Sequence, residues 1–248
     1  MRGLLIGLTL CLVTGPVLAE QVVVAVASNF TAPMKEIAVQ FEQNTGHTLQ
    51  VSYGSSGKIY AQIVNGAPFQ IFLSADSAKP QALEQAGLTA PDTGFTYATG
   101  RLALWSSKAN LVDEQLNVLR QGKFNKLAIA NPNLAPYGAA AVDVLSKLDL
   151  EEVTKPKWVQ GENIAQTYQF VATGNADLGF VALSQLANKN AEAPGSMWIV
   201  PKELHRPINQ DAVLLRRAEN NKAARDFLQF LRGDTATAII KSYGYAVE

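Results

Sequence analysis

From Gln21 onward the chain alternates short, continuous apolar runs with stretches whose apolar residues recur every three to four positions. That alternation predicts an α/β protein, in which buried parallel strands feed helices that return over the sheet. Residues 22–26, VVVAV, read as a strand covered on both faces. Met34, Ile37, Ala38 and Phe41 then follow at i, i+3, i+4 and i+7, with Pro33 suited to a first helical turn and Gly46 to a stop. Residues 49–53 form the next predicted strand, and Ile59, Ile63 and Val64 mark a helix that ends at Asn65-Gly66. A strand over 71–74 and a helix through Ala82, Leu83 and Ala86, stopped by Gly87, close this first series.

The run at 100–105 breaks the rhythm after a loop rich in Thr, Pro and Gly. A second series begins beyond it: a strand at 126–130, a helix near 138–148, a strand at Trp158-Val159, a helix near 165–173 and a strand at 178–181. Past Pro201, residues 208–215 are a long apolar strand, and Ala224, Phe227, Leu228 and Leu231 place a helix after it. The pattern predicts two lobes, with the chain crossing near residue 100 and returning near 205. Lobe I takes residues 20–100 and 206–248, and lobe II takes 101–205. No internal repeat and no low-complexity linker separates them.

Residues 1–19 stand apart from this scheme. Arg2 precedes an apolar stretch at 4–13, and Val17-Leu18-Ala19 offers the small residues that a signal peptidase reads. The run is too short to span a bilayer and is broken by Gly15-Pro16. Export with cleavage before Glu20 is the expectation. Removing these 19 residues from 248 leaves 229, and because Cys11 is the chain's only cysteine, the exported part has none. Such a protein is stabilised by its core rather than by disulfides. The remainder carries 20 basic and 21 acidic side chains, which excludes a nucleic-acid binder or a polybasic membrane-surface protein.

Open α/β sheets bind ligands beyond the carboxyl ends of their strands, where helix N-termini point. Four such junctions are legible: 27–31 (ASNFT), 53–58 (YGSSGK), 131–138 (NPNLAPYG) and 160–164 (QGENI). All offer free backbone N–H groups, and the first two add hydroxyls. Lys58 is their only cation, and Glu162 their only carboxylate. The second junction is not a P-loop, because Ser52 and Ile59 occupy places where that motif needs Gly and Ser or Thr. A hydrolase using Ser56 would need a histidine base, and only His47, in an expected surface loop, and His205, near the second crossing, are available. Two isolated histidines and no usable cysteine give no metal-ligand spacing. Each serine alone reads as an ordinary helix N-cap; together, on adjacent strands facing similar junctions, they point to a shared anion site.

Residues 26–46 (VASNFTAPMKEIAVQFEQNTG), 53–76 (YGSSGKIYAQIVNGAPFQIFLSAD), 130–148 (ANPNLAPYGAAAVDVLSKL), 161–186 (GENIAQTYQFVATGNADLGFVALSQL) and 241–248 (KSYGYAVE) resemble the periplasmic molybdate-binding proteins of ABC importers in order and spacing. The resemblance implies a periplasmic, two-lobed binding-protein fold, each lobe a mostly parallel sheet flanked by helices, with the ligand in the interlobe cleft. It implies molybdate or tungstate as ligand, a membrane permease as partner, a monomer, no catalysis and no cofactor, with molybdenum held only as the oxyanion. By motif match, Ser28, Asn29 and Ser56 contact the anion from lobe I, with Ser55 only a neighbour. Tyr137 and Ile164 donate backbone N–H groups from lobe II. Two positions depart from the family pattern: Ala182 stands where many relatives have Tyr, and Gln185 where Asp is frequent. The Asn29 side chain is expected to compensate for the missing hydroxyl.

A fully deprotonated oxyanion offers only acceptors, so a lining of donors suits it, whereas protonated phosphate also needs an acceptor. Sulfate or another small oxyanion remains the alternative ligand, since cavity size separates it from molybdate. An iron site would need clustered Tyr, His or carboxylates, and Tyr243 and Tyr245 read as core packing.

Overall fold

The computed structural model describes residues 19–187 and 195–247. The predicted leader therefore lies outside the described residues except for Ala19. Among the described residues no helix is long and apolar enough to cross a membrane.

The first lobe is built on β1 (Gln21–Ala27), β2 (Thr48–Gly54), β3 (Ile71–Leu73) and β4 (Phe95–Gly100). These strands are joined by helices α1 (Thr31–Thr45), α2 (Ser56–Val64) and α3 (Ala78–Gln85). The chain then enters the second lobe with β5 (Leu102–Ser106) and α4 (Asn117–Arg120). It continues through β6 (Leu127–Ala130), α5 (Pro136–Lys147), α6 (Glu151–Thr154), β7 (Trp158–Gly161) and α7 (Ile164–Ala172). β8 (Leu178–Ala182), α8 (Leu183–Leu186) and β9 (Ser196–Ile199) complete that lobe. The return strand β10 (Ile208–Leu214) rejoins the first sheet, followed by α9 (Lys222–Leu231) and α10 (Asp234–Ser242).

The two sheets share one plan. Their strand orders are β2-β1-β3-β10-β4 and β7-β6-β8-β5-β9. In the first, β1 runs parallel to β2 and β3, while β10 is antiparallel to both β3 and β4, so β10 alone opposes the other strands. In the second, β6 is parallel to β7 and β8, and β5 alone is reversed. Each reversed strand is the one that begins just after the chain crosses between lobes. The mostly parallel sheets expected from the apolar runs are therefore present, and the organisation repeats without a repeat in sequence.

Alternation along the strands divides the core into two layers per sheet. Val22, Val24 and Val26 pack with Ile71 and Leu73 against Met34, Ile37 and Phe41 of α1 and Phe227 of α9. Ala25 and Phe72 face the other way, toward Ile59 and Ile63 of α2 and Leu83 of α3. In the second lobe the larger layer carries Leu127, Ile129, Val144 and Leu145, and it also takes in Ala27 and Ala75 from the first lobe. The lobes thus meet through small residues at the ends of first-lobe strands.

Candidate functional site

The carboxyl ends of β1, β2, β6 and β7 converge between the lobes on a cavity of about 10 Å³. In this arrangement of the lobes it leaves room for only a small ion or molecule. Its lining is Ala27, Ser28, Asn29, Gly54, Ser55, Ser56 and Ala75 from one lobe, and Ala135, Pro136, Tyr137 and Ile164 from the other. All five sequence-predicted residues are therefore brought together. The lining contains no charged side chain.

Ser28 and Asn29 open a 3-10 turn that leads from β1 into α1, and the Thr31 hydroxyl ties the turn by donating to the Ser28 carbonyl at 2.8 Å. Ser56 is the first residue of α2, and its Oγ accepts from the Ala75 N–H at 2.9 Å. One lone pair is thereby engaged, while the hydroxyl proton is free to donate. Tyr137 and Ile164 stand at the starts of α5 and α7. Asn163 caps α7, its Oδ1 accepting from the Ala165 and Gln166 N–H groups at 3.0 Å each. The Gly138 N–H donates to the Ala135 carbonyl. No backbone carbonyl among the described residues accepts from the N–H of Ser56, Tyr137 or Ile164. These are the orphan donors that every helix start leaves over.

The Asn29 side chain does not compensate for the hydroxyl missing at Ala182. Its Nδ2 donates to Gln210 Oε1 at 2.8 Å and to the Tyr245 hydroxyl at 2.9 Å, so both amide protons are committed inside the protein. Gln185 links β8 to α7: its Oε1 accepts from the Ala182 N–H at 3.0 Å and its Nε2 donates to the Ile164 carbonyl at 3.1 Å. Glu162 lies outside the cavity and pairs across the cleft mouth with Lys58 at 2.8 Å, both half exposed. His47 is buried rather than on the surface, and its Nδ1 accepts from the Glu20 N–H at 3.1 Å. His205 is buried as well, with Nδ1 at 2.7 Å from the Arg206 carbonyl. Neither lines the cavity, so no imidazole stands beside Ser56.

Behind the cavity lies a buried polar network that joins the lobes. Gln210, fully buried, lies on the inward side of β10 between Ile208 and Ala212, where the pairing with β4 shifts register past Tyr97. Its Oε1 accepts from Asn29 and, at 3.0 Å, from the Tyr97 hydroxyl, while its Nε2 donates to the Tyr137 hydroxyl at 3.1 Å. Tyr137 reaches this place because residue 100 is glycine; a Cβ there would run into its hydroxyl. The Ser184 hydroxyl donates to the Asn29 carbonyl at 3.0 Å and lies 2.9 Å from the Tyr245 hydroxyl. Burial holds the Tyr97 and Tyr137 phenols well above their ordinary range, with neighbouring phenols adding to the effect. Burial likewise pushes Tyr245 up to about 12, against its hydrogen bonds to Ser184 and Asn29, which lower it. All three stay neutral. Tyr245 packs in the core as the sequence suggests, its ring edge-on to Phe30 at 5.5 Å, and its hydroxyl adds it to this network. Gln210 is not among the sequence-predicted residues, and its only signal is a polar residue inside an apolar strand.

Two contacts close the cleft from the front. The Gly57 N–H donates to the Leu134 carbonyl at 2.8 Å across the lobes, an approach that glycine permits because a Cβ would lie 3.0 Å from the Leu134 backbone. The other is the Lys58–Glu162 pair. A larger groove of about 300 Å³ runs beside the cavity, but its charges are spent within the protein. There Lys79 pairs with Asp76, and Arg206 with Asp143 at 2.9 Å. Among the described residues no cluster of His, Cys, Asp and Glu could hold a metal ion.

The family model for bacterial extracellular solute-binding proteins matches residues 22–246. The chain belongs to that family. The solute-binding protein is 54% identical over 230 residues to the molybdate-binding protein ModA of Azotobacter vinelandii, covering 93% of this chain and 91% of the relative. It is 47% identical to ModA of Rhodobacter capsulatus, covering 94% and 91%. A solved Azotobacter vinelandii periplasmic molybdate-binding protein superposes with a TM-score of 0.89 at 41% identity, over 92% of this chain and 99% of that one. These identities also show the family that the loop motifs resemble, the periplasmic molybdate-binding proteins, and the fold expected from them.

Proposed function

We propose that this protein captures molybdate or tungstate in the periplasm, closes its lobes on the anion and hands it to the permease of an ABC importer. It acts as a monomer and catalyses nothing. Residues 100–102 and 199–208, where the chain passes between the sheets, serve as the hinges. One observation carries the reading: the cavity gathers helix starts from both lobes and serine hydroxyls from the first, and its lining presents no carboxylate.

The ligand contacts on this reading are the hydroxyls of Ser28 and Ser56 and the N–H groups of Ser28, Asn29, Ser56, Tyr137 and Ile164. A buried dianion without a countercharge is costly, and helix N-termini offset it. Hydrogen bonds to a charged group contribute roughly 1.5–3 kcal/mol each, so about seven donors supply on the order of 10–20 kcal/mol gross. Lobe closure and ordering consume part of this, leaving affinities between micromolar and nanomolar, about −8 to −12 kcal/mol. Protonated phosphate finds no carboxylate to accept its proton. The relatives named for molybdate support the choice of ligand.

Calorimetric titration of residues 20–248 with molybdate, tungstate, sulfate and phosphate tests the reading. Tight one-to-one binding of the first two with no heat from the others is the expected result. Binding of sulfate or phosphate alone would retain the anion site and overturn its assignment to molybdate.

A further inference from the structure

Ser55 is the N-cap of α2, the place where a serine oxygen ordinarily accepts from an N–H of the first turn. It makes no such bond. The second N–H of the helix, that of Gly57, donates across the cleft to Leu134 instead. Ser55 is 3% exposed and lines the cavity, and among the described residues its Oγ is the one buried side-chain polar atom with no hydrogen-bond partner. Native proteins leave few such groups unpaired, and each asks for an explanation.

Its neighbour makes the contrast. The Ser56 Oγ already accepts from the Ala75 N–H, whereas the Ser55 hydroxyl has both its proton and its lone pairs uncommitted. The missing cap bond and the missing partner describe one hydroxyl reserved for something that is not protein. We propose that Ser55 is a further ligand-contact residue, donating its hydroxyl proton to the oxyanion beside Ser56. Two consecutive hydroxyls at one helix start then grip the anion from the first lobe. This rests on the reading of the cavity as an oxyanion site.

The test compares wild type with Ser55→Ala and Ser55→Gly by calorimetry with molybdate, together with the unfolding temperature of each ligand-free protein. Glycine is itself an accepted N-cap, so the second variant deletes the hydroxyl with little effect on the helix. The expected result is a Kd raised about tenfold in both variants, equivalent to about 1.4 kcal/mol, with ligand-free Tm unchanged or higher. A Kd within twofold of wild type in a folded variant overturns the proposal. So does a lowered ligand-free Tm with unchanged Kd, which would make Ser55 a cap after all. If wild type binds none of the oxyanions, the reading of the cavity falls and the proposal with it. If wild type binds and the variants match it, only the proposal falls.

Discussion

Two kinds of donor face the cavity, and single substitutions separate them. A hydroxyl is lost with its side chain, so Ser28→Ala and Ser56→Ala should each raise the molybdate Kd about tenfold or more, since a hydrogen bond to a charged group contributes roughly 1.5–3 kcal/mol. Ser56→Ala should also lower ligand-free stability slightly, because the Ala75 N–H loses its acceptor. A backbone donor is indifferent to its side chain. Ile164→Val should therefore leave the Kd within about twofold, an apolar swap of small consequence. Ile164→Pro is the decisive partner to it. Position 164 is the first residue of α7, where proline is tolerated, and Asn163 before it is already extended at φ −145 and ψ 173. The variant should fold with near-normal circular dichroism yet bind at least about tenfold more weakly, because one N–H is gone. Equal affinity for Ile164→Pro and wild type would remove Ile164 from the site.

At the scale of the elements, α2 meets the second lobe through Gly57 and Lys58, and the two contacts differ in weight. Gly57→Val places a branched side chain against the Leu134 backbone, which a Cβ alone already reaches at 3.0 Å. It should weaken anion binding by at least about tenfold while sparing ligand-free stability, since the clash arises as the lobes come together. Lys58→Ala removes a pair that is half exposed on both sides. Surface pairs contribute about 0–1 kcal/mol, so the Kd should change less than about fivefold. Both effects are read by titration beside thermal unfolding. The elements themselves were unequally legible in the sequence. β1, β3, β6 and β8 are covered on both faces and show as continuous apolar runs, and α1 and α9 show as i, i+3, i+4, i+7 patterns. β4 and β9 are hard to read because neither shows a continuous apolar run or a clean alternation: β4 is rich in Thr and ends in Gly, and β9 is four residues long with Met197 and Ile199 turned to solvent. α10 escaped because it follows α9 after Arg232-Gly233 and buries only Ala236, Ile239 and Ile240. The positions lining the cavity were legible because strand-to-helix junctions in an open sheet gather at one edge. The network behind them was not. Gln210 and Tyr245 lie 181 and 216 residues from Asn29, a separation across which no local pattern pairs them.

Taken as a whole, the molecule is two similar sheets joined at two crossings and, in the buried part of their contact, by a network of neutral groups, so its stability should respond to alkali more than its exposed ion pairs would suggest. Tyr97, Tyr137 and Tyr245 are all buried in the network that spans the lobes, and burial raises all three above the ordinary tyrosine value of 10.0. In the unfolded chain they ionise near that ordinary value. The folded protein holds them protonated, Tyr245 up to about 12 and the other two well above their ordinary value. The linkage sign follows: above about pH 10 the unfolded chain binds fewer protons than the folded one, so unfolding becomes easier as pH rises. The stabilisation is complete below about pH 10 and is lost as pH climbs through the folded values. Thermal unfolding followed from pH 9 to pH 12 should show little change at first and then a steep fall in Tm. Tyr245→Phe should flatten that fall, since it deletes one of the linked protons, although it also leaves Asn29 and Ser184 short of a partner and lowers Tm at neutral pH. Because the Tyr137 hydroxyl and the proposed anion contact at its N–H belong to one residue, molybdate affinity should decline in the same window. A Tm that falls no more steeply above pH 10 than that of the Tyr245→Phe variant would show that the buried phenols do not govern the alkaline transition.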